Sequence, residues 1–172
     1  MNFATIKKRD IADGPGVRVS LFVSGCTHHC EGCFNEIAWD FDYGAPFTKA
    51  VEDELLEALA PDYIQGLTLL GGEPFEPENQ RALLPFLKRV REVYPQKNIW
   101  CYSGYTLEQL QGESHARCEV TDEMLAQLDV LVDGRFVLAK KNIRLRFSGS
   151  ENQRLIDMNK TREAGEIVLW DN

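Results

Sequence analysis

The sequence predicts an α/β fold: a partial, open β/α barrel with a mainly parallel sheet. Three observations predict it. Short apolar runs of strand type alternate with stretches of helical periodicity, the pattern of repeated βαβ units. Each such run ends at or near a glycine, where α/β proteins place ligand loops. At 172 residues the chain is too short for a complete eight-unit barrel, which takes about 250. The sheet is therefore expected to stay open on one side, and residues 1–172 to form a single domain.

In chain order, Asp13-Gly14-Pro15-Gly16 is turn chemistry feeding a first strand from Val17 to Val23, rich in β-branched and aromatic residues. Gly25 ends it. Glu36 to Trp39 is a candidate short helix. Thr48 can cap a helix to Leu59, in which Val51, Leu55, Leu56 and Leu59 recur at helical spacing before Pro61. Tyr63 to Leu70 reads as a buried strand, followed at once by Gly71-Gly72-Glu73-Pro74.

Pro77 suits a first helical position, and Leu83, Leu84, Leu87, Val90 and Val93 stripe a helix to about Tyr94 that Pro85 can divide or kink. Asn98 to Tyr102 is the third strand. Thr106 and Gln109 match a capping box, and Thr121 opens a helix through Leu128 with Asp122 and Glu123 set favourably against its dipole. Asp129 to Asp133 is the fourth strand. Phe136 to Lys140 is expected to extend a strand, and Gln153 to Asp157 and Glu166 to Trp170 to form two short final ones.

Composition narrows the function classes. The formal charge of −8 argues against non-specific binding to nucleic acid or acidic membranes. No apolar stretch reaches the length of a membrane span, and the start lacks the apolar core of a signal peptide. The expected location is the cytoplasm. There, five cysteines are better read as including metal ligands than as a disulfide framework. Cys101 and Cys118 are isolated. Arg135, Lys140, Lys141, Arg144 and Arg146 concentrate positive charge, either as a docking surface for an acidic partner or as a solvated loop.

Cys26, Cys30 and Cys33 form a C-x3-C-x2-C run directly after the first strand. Three thiols in eight polar residues are poor core filler and suit one soft metal centre. A four-iron cluster held by these three would keep one iron without a protein ligand, open for chemistry. With His28 or His29 as a fourth ligand, the same run could be a closed Cys3His zinc site. The second signal is Gly71-Gly72-Glu73-Pro74. Taken alone it is a tight turn, but paired glycines also let backbone groups approach a ligand closely, with Glu73 adding negative charge.

The cysteine run after one strand and Gly-Gly-Glu-Pro after the next together resemble the radical S-adenosylmethionine superfamily. Asp13-Gly14-Pro15-Gly16-Val17-Arg18 and Cys33-Phe34-Asn35 narrow the resemblance to the activating enzymes of glycyl-radical enzymes. The short chain and Gln153 to Asp157 narrow it further, to activases whose partner is the large glycyl-radical subunit of anaerobic ribonucleoside-triphosphate reductase. The resemblance implies a 4Fe-4S cluster on Cys26, Cys30 and Cys33, whose open iron binds S-adenosylmethionine. It implies that Gly71, Gly72, Glu73 and Pro74 hold the methionine ammonium, and that Gly32, Cys33 and Phe34 approach the cofactor. It further implies reductive cleavage to a 5′-deoxyadenosyl radical that takes hydrogen from a partner glycine, with a reductant such as flavodoxin supplying the electron. No side chain beyond cluster and cofactor is expected to be catalytic. Ser103, Gly104 and Asp133, at strand ends, are further candidate contacts. Another small radical S-adenosylmethionine enzyme, or a zinc-stabilised interaction module, are the alternatives.

Overall fold

The computed structural model describes residues 1–171. Seven strands form one mixed sheet: β1 (Asn2–Asp10), β2 (Val17–Val23), β3 (Ala45–Pro46), β4 (Ile64–Gly71), β5 (Asn98–Ser103), β6 (Val130–Asp133) and β7 (Arg154–Asp157). Their spatial order is β3-β1-β2-β4-β5-β6-β7. The β2-β4, β4-β5 and β5-β6 pairs are parallel, and the pairs toward both edges are antiparallel. The sheet is not closed on itself.

Helices α1 (Lys49–Leu59), α2 (Pro77–Val93), α3 (Leu107–Gln111), α4 (Thr121–Ala126) and α5 (Met158–Ala164) complete the fold. Strand alternation separates the two faces of the sheet. Val19, Leu21, Leu67, Leu69, Ile99 and Leu131 point into the main core, with Leu55 and Leu59 of α1 and Leu83, Phe86 and Leu87 of α2. Their neighbours Phe22, Leu70, Tyr102 and Val132 face the opposite way and line a cavity. Period two thus gives the sheet one greasy, helix-covered face and one working face.

Local chemistry explains the boundaries. Thr48 Oγ1 accepts from Val51 N and caps α1. Thr106 and Gln109 form the expected capping box. α2 runs unbroken through Pro85, which lies on its exposed side, where the missing N–H is least costly. α4 stops at Ala126, two residues short of expectation.

The first turn and strand fold around a buried cation. Arg18 is fully buried, its Nε donating to Thr68 Oγ1 at 2.7 Å and its guanidinium reaching the carbonyls of Leu67 and Pro15. Thr68 Oγ1 in turn donates to Asp13 O. Burial pulls the Arg18 guanidinium down to about 10.

Besides the shortened α4, five elements depart from the sequence reading, the first being the two-residue strand β3, which was not expected. β1 was not expected, because its Lys7-Lys8-Arg9 run leaves little apolar alternation near the sheet edge. α5 was not expected either: it has seven residues, of which only Met158 and Thr161 are buried. Phe136 to Lys140 does not extend a strand; Leu138–Lys140 is a single 3-10 turn. Glu166 to Trp170 contributes only an isolated bridge, Leu169 to Ile156.

Candidate functional site

The two motifs of the sequence are one object in space. The cysteine loop is pinched at its neck, where Gly25 N donates to Ala38 O at 2.7 Å and Cys26 N to Trp39 O at 3.2 Å. The Gly-Gly-Glu turn is sewn to the same neck: Gly72 N donates to Val23 O at 2.8 Å and Glu73 N to Gly25 O at 2.7 Å. Glycine is required for this approach. Gly71 sits at φ +112°, and a Cβ on Gly72 would lie 2.5 Å from the Gly25 carbonyl. With the Gly72 and Glu73 amides committed, the turn has carbonyl oxygens rather than these N–H groups to offer a ligand, which suits an ammonium.

Glu73 is the hub. Its carboxylate is 1% exposed and accepts four hydrogen bonds, from His28 Nε2 (2.7 Å), Gly104 N (2.7 Å), Phe75 N (2.8 Å) and Ser103 Oγ (2.9 Å). One buried anion thus ties the cysteine loop, its own turn and the end of β5 together, each bond charge-assisted. Glu76, also buried, accepts from Thr27 N and Oγ1, and Asn79 Nδ2 donates to Ser24 O and Glu73 O. Glu73, Glu76 and Asn79 recur every third residue, so the start of α2 holds the loop from below. Sequence reasoning missed Glu76 and Asn79; their spacing in front of an apolar helical stripe was the available signal.

All three cysteines line a single cavity of about 680 Å³. Cys26 is buried, while Cys30 and Cys33 are partly exposed. Burial pushes the free Cys26 thiol up to about 12, with the nearby carboxylates Glu73 and Glu76 adding to the effect. A bound metal centre would hold it as thiolate. Of the other expected contacts, Phe34, Gly71, Gly72, Glu73, Ser103 and Gly104 also line the cavity. Gly32, which is exposed, and Pro74, which is buried, do not line it, and Asp133 is committed to Arg154 and to Leu107 N.

A further wall comes from a segment whose place the sequence left open. Phe136, Lys141, Ile143, Leu145 and Phe147 also line the cavity, and Phe136 packs against Phe34 of the cysteine loop with ring centres 5.4 Å apart. Lys141 Nζ lies 5.4 Å from the Phe34 ring centre, and Arg135 donates to His28 O at 2.7 Å.

The histidines are otherwise engaged. His28 is bound to Glu73 and packs edge-on to Tyr105, and His29 stacks on Trp39 with ring centres 4.3 Å apart. Among the described residues no three His, Cys, Asp or Glu side chains converge as one metal ion would need. A cluster is a larger body that spreads its ligands. Three thiols on one wall, no histidine free to join them and open space in front fit a 4Fe-4S cluster better than a closed zinc site.

Comparison with known proteins agrees. A family model described as a 4Fe-4S single cluster domain matches residues 12–156. A protein of Pasteurella multocida is 43% identical over 155 residues, covering 89% of this chain and 95% of that protein. One of Escherichia coli K12 is 42% identical, covering 89% and 96%. One of Enterobacteria phage T4 is 40% identical over 157 residues, covering 90% and 93%. All three are named anaerobic ribonucleoside-triphosphate reductase-activating protein. The chain therefore belongs to the 4Fe-4S single cluster domain family and, within it, to the anaerobic ribonucleoside-triphosphate reductase-activating proteins.

Proposed function

We propose that this protein is an activating enzyme that installs a glycyl radical on the large subunit of anaerobic ribonucleoside-triphosphate reductase, using a 4Fe-4S cluster and S-adenosylmethionine. Cys26, Cys30 and Cys33 hold the cluster. When bound, the cluster supplies the electron that cleaves the sulfonium of S-adenosylmethionine, drawn from a reductant such as flavodoxin.

The protein's own residues bind, orient and enclose. The carbonyls of the Gly71-Gly72 turn accept from the methionine ammonium. Glu73, saturated by its four donors, acts on that group through space and by fixing the turn rather than by direct contact. Phe34, with Phe136 and Lys141 packed against it, and the apolar floor of Phe22, Leu70 and Val132 keep water from the reacting atoms. The open mouth leaves room for a backbone loop of a large partner.

The observation that supports this reading most is the shared neck: the Gly-Gly-Glu turn and the cysteine loop are bonded at Gly25 and Val23 and face one cavity. The test is anaerobic reconstitution with iron and sulfide, then reduction with dithionite in the presence of S-adenosylmethionine. The expected products are methionine and 5′-deoxyadenosine. Absence of 5′-deoxyadenosine from protein carrying about four irons per chain would overturn the reading.

A further inference from the structure

Among the described residues seven of the 19 lysines and arginines are ion-paired and twelve are not, and five of those twelve fall together in one segment. Arg81, Arg89, Arg91, Arg117 and Arg154 are each ion-paired with a carboxylate of the protein itself. Arg135, Lys140, Lys141, Arg144 and Arg146 are not: all five are exposed, and among the described residues none lies within 4.0 Å of a carboxylate. No acidic residue occurs between Arg135 and Arg146, in a chain whose formal charge is −8.

The segment that carries them reaches the cavity through Lys141 and the cysteine loop through Arg135, which donates to His28 O. Lys141, Ile143 and Leu145 line the cavity from within the same segment. The mouth also carries exposed apolar side chains. Phe34 is 75% exposed and Ile143 89%, and Leu138 packs so close to Gly32 that a Cβ there would meet it at 2.9 Å. Apolar anchors ringed by unpaired charge of one sign are the anatomy of a protein-docking rim. The charge excess opposes that of the rest of the chain, so it favours an acidic partner.

Resting on the activase reading above, we propose that residues 135–146, with Phe34, form the docking rim for the reductase, engaging an acidic surface that flanks its glycine-bearing loop. The rim steers and orients the partner so that the loop enters between Phe34 and Ile143. Lys140 and Arg144 do not line the cavity and serve the encounter rather than the chemistry.

The experiment uses the reconstituted full-length protein and the whole reductase. Affinity is measured at low and moderate salt, beside 5′-deoxyadenosine formation with dithionite and no reductase. Lys140→Glu/Arg144→Glu should bind the reductase at least about tenfold more weakly at low salt and lose most of the salt dependence, because rim charges act through screened, long-range attraction. Lys140→Ala/Arg144→Ala should show a smaller loss in the same direction. Cleavage of S-adenosylmethionine without the reductase should be unchanged. Unaltered reductase affinity in both variants would overturn the proposal. So would unaltered affinity with loss of flavodoxin-driven turnover alone, which would give the rim to the electron donor. Failure of both wild type and variant to form 5′-deoxyadenosine would count against the activase reading, while the affinity measurement would still decide the rim.

Discussion

His28 Nε2 donates to Glu73 Oε1 at 2.7 Å, joining the cysteine loop to the Gly-Gly-Glu-Pro turn through side chains as their backbones are joined through Gly25. Both partners are largely buried, at 10% and 1% side-chain exposure. The contact makes Glu73 a structural anion before it is a ligand-facing one.

Replacing Glu73 by alanine leaves four donors, two of them in buried and two in part-buried hydrogen bonds, without this acceptor. The expected cost is about 3 kcal/mol or more of folding stability. Urea unfolding of the iron-free protein checks this without reference to activity. A loss below about 1 kcal/mol would show that the hub is not needed to hold the loops.

Glycine at position 72 is a steric requirement, since a methyl group there meets backbone rather than a flexible side chain. Gly72→Ala should therefore separate the turn from the cysteine loop, costing about 2 kcal/mol or more and weakening S-adenosylmethionine binding. Equilibrium binding of S-adenosylmethionine to reconstituted protein reads the second effect.

The cysteines divide by position. Serine at 26, 30 or 33 should each abolish the brown chromophore and most of the bound iron after reconstitution. Serine at 101, a fully buried core thiol, or at 118, whose Sγ lies 3.5 Å from Gln80 Oε1, should leave iron content unchanged. His28→Ala/His29→Ala should lower stability through Glu73 yet keep the iron. Loss of metal in that double variant, with zinc bound by the wild type, would point to the Cys3His alternative.

Asp13 gives the protein a pH signature. Burial, then its neighbour Asp10, hold the Asp13 carboxyl up at about 7 from an ordinary 3.8, while Lys7 pulls the other way. The unfolded chain releases that proton from about pH 4 and the folded protein only near 7, so this group's contribution to stability falls as pH rises between the two and is level above. Asp10, held below its usual range, acts in the opposite sense. Full conversion of the Asp13 shift would be about 4 kcal/mol, but Asp13 is partly exposed and screening brings the expected effect to about 1–2 kcal/mol. Asp13→Asn should remove that decline and be the more stable form at pH 8. Parallel stability profiles for the two proteins between pH 4.5 and 8 would contradict the assignment.

Much of the site was legible in the sequence because its residues are local. Cys26, Cys30 and Cys33 share one loop, and Gly71 to Glu73 one turn, each at the end of a strand that period-two alternation makes visible. Two helices were legible for the same reason: α1 by its Thr48 cap and stripe, and α2 by its Pro77 start and stripe. What escaped depends on distance in sequence. The wall that packs against the cysteine loop comes from Phe136 to Phe147, over a hundred residues after the cysteines, and its irregular backbone carries no periodicity to read. The structural role of Glu73 escaped because its four donors come from three separate segments. β1 escaped because a strand near an open edge can be largely polar.

The most direct measurement is electron paramagnetic resonance of the reductase after anaerobic incubation with the reconstituted protein, S-adenosylmethionine and a reductant. The expected result is a glycyl-radical signal that needs all three components and is absent with Cys30→Ser. A reductase that stays silent beside wild-type protein carrying a reduced cluster, or a signal of equal size with Cys30→Ser, would contradict the central claim.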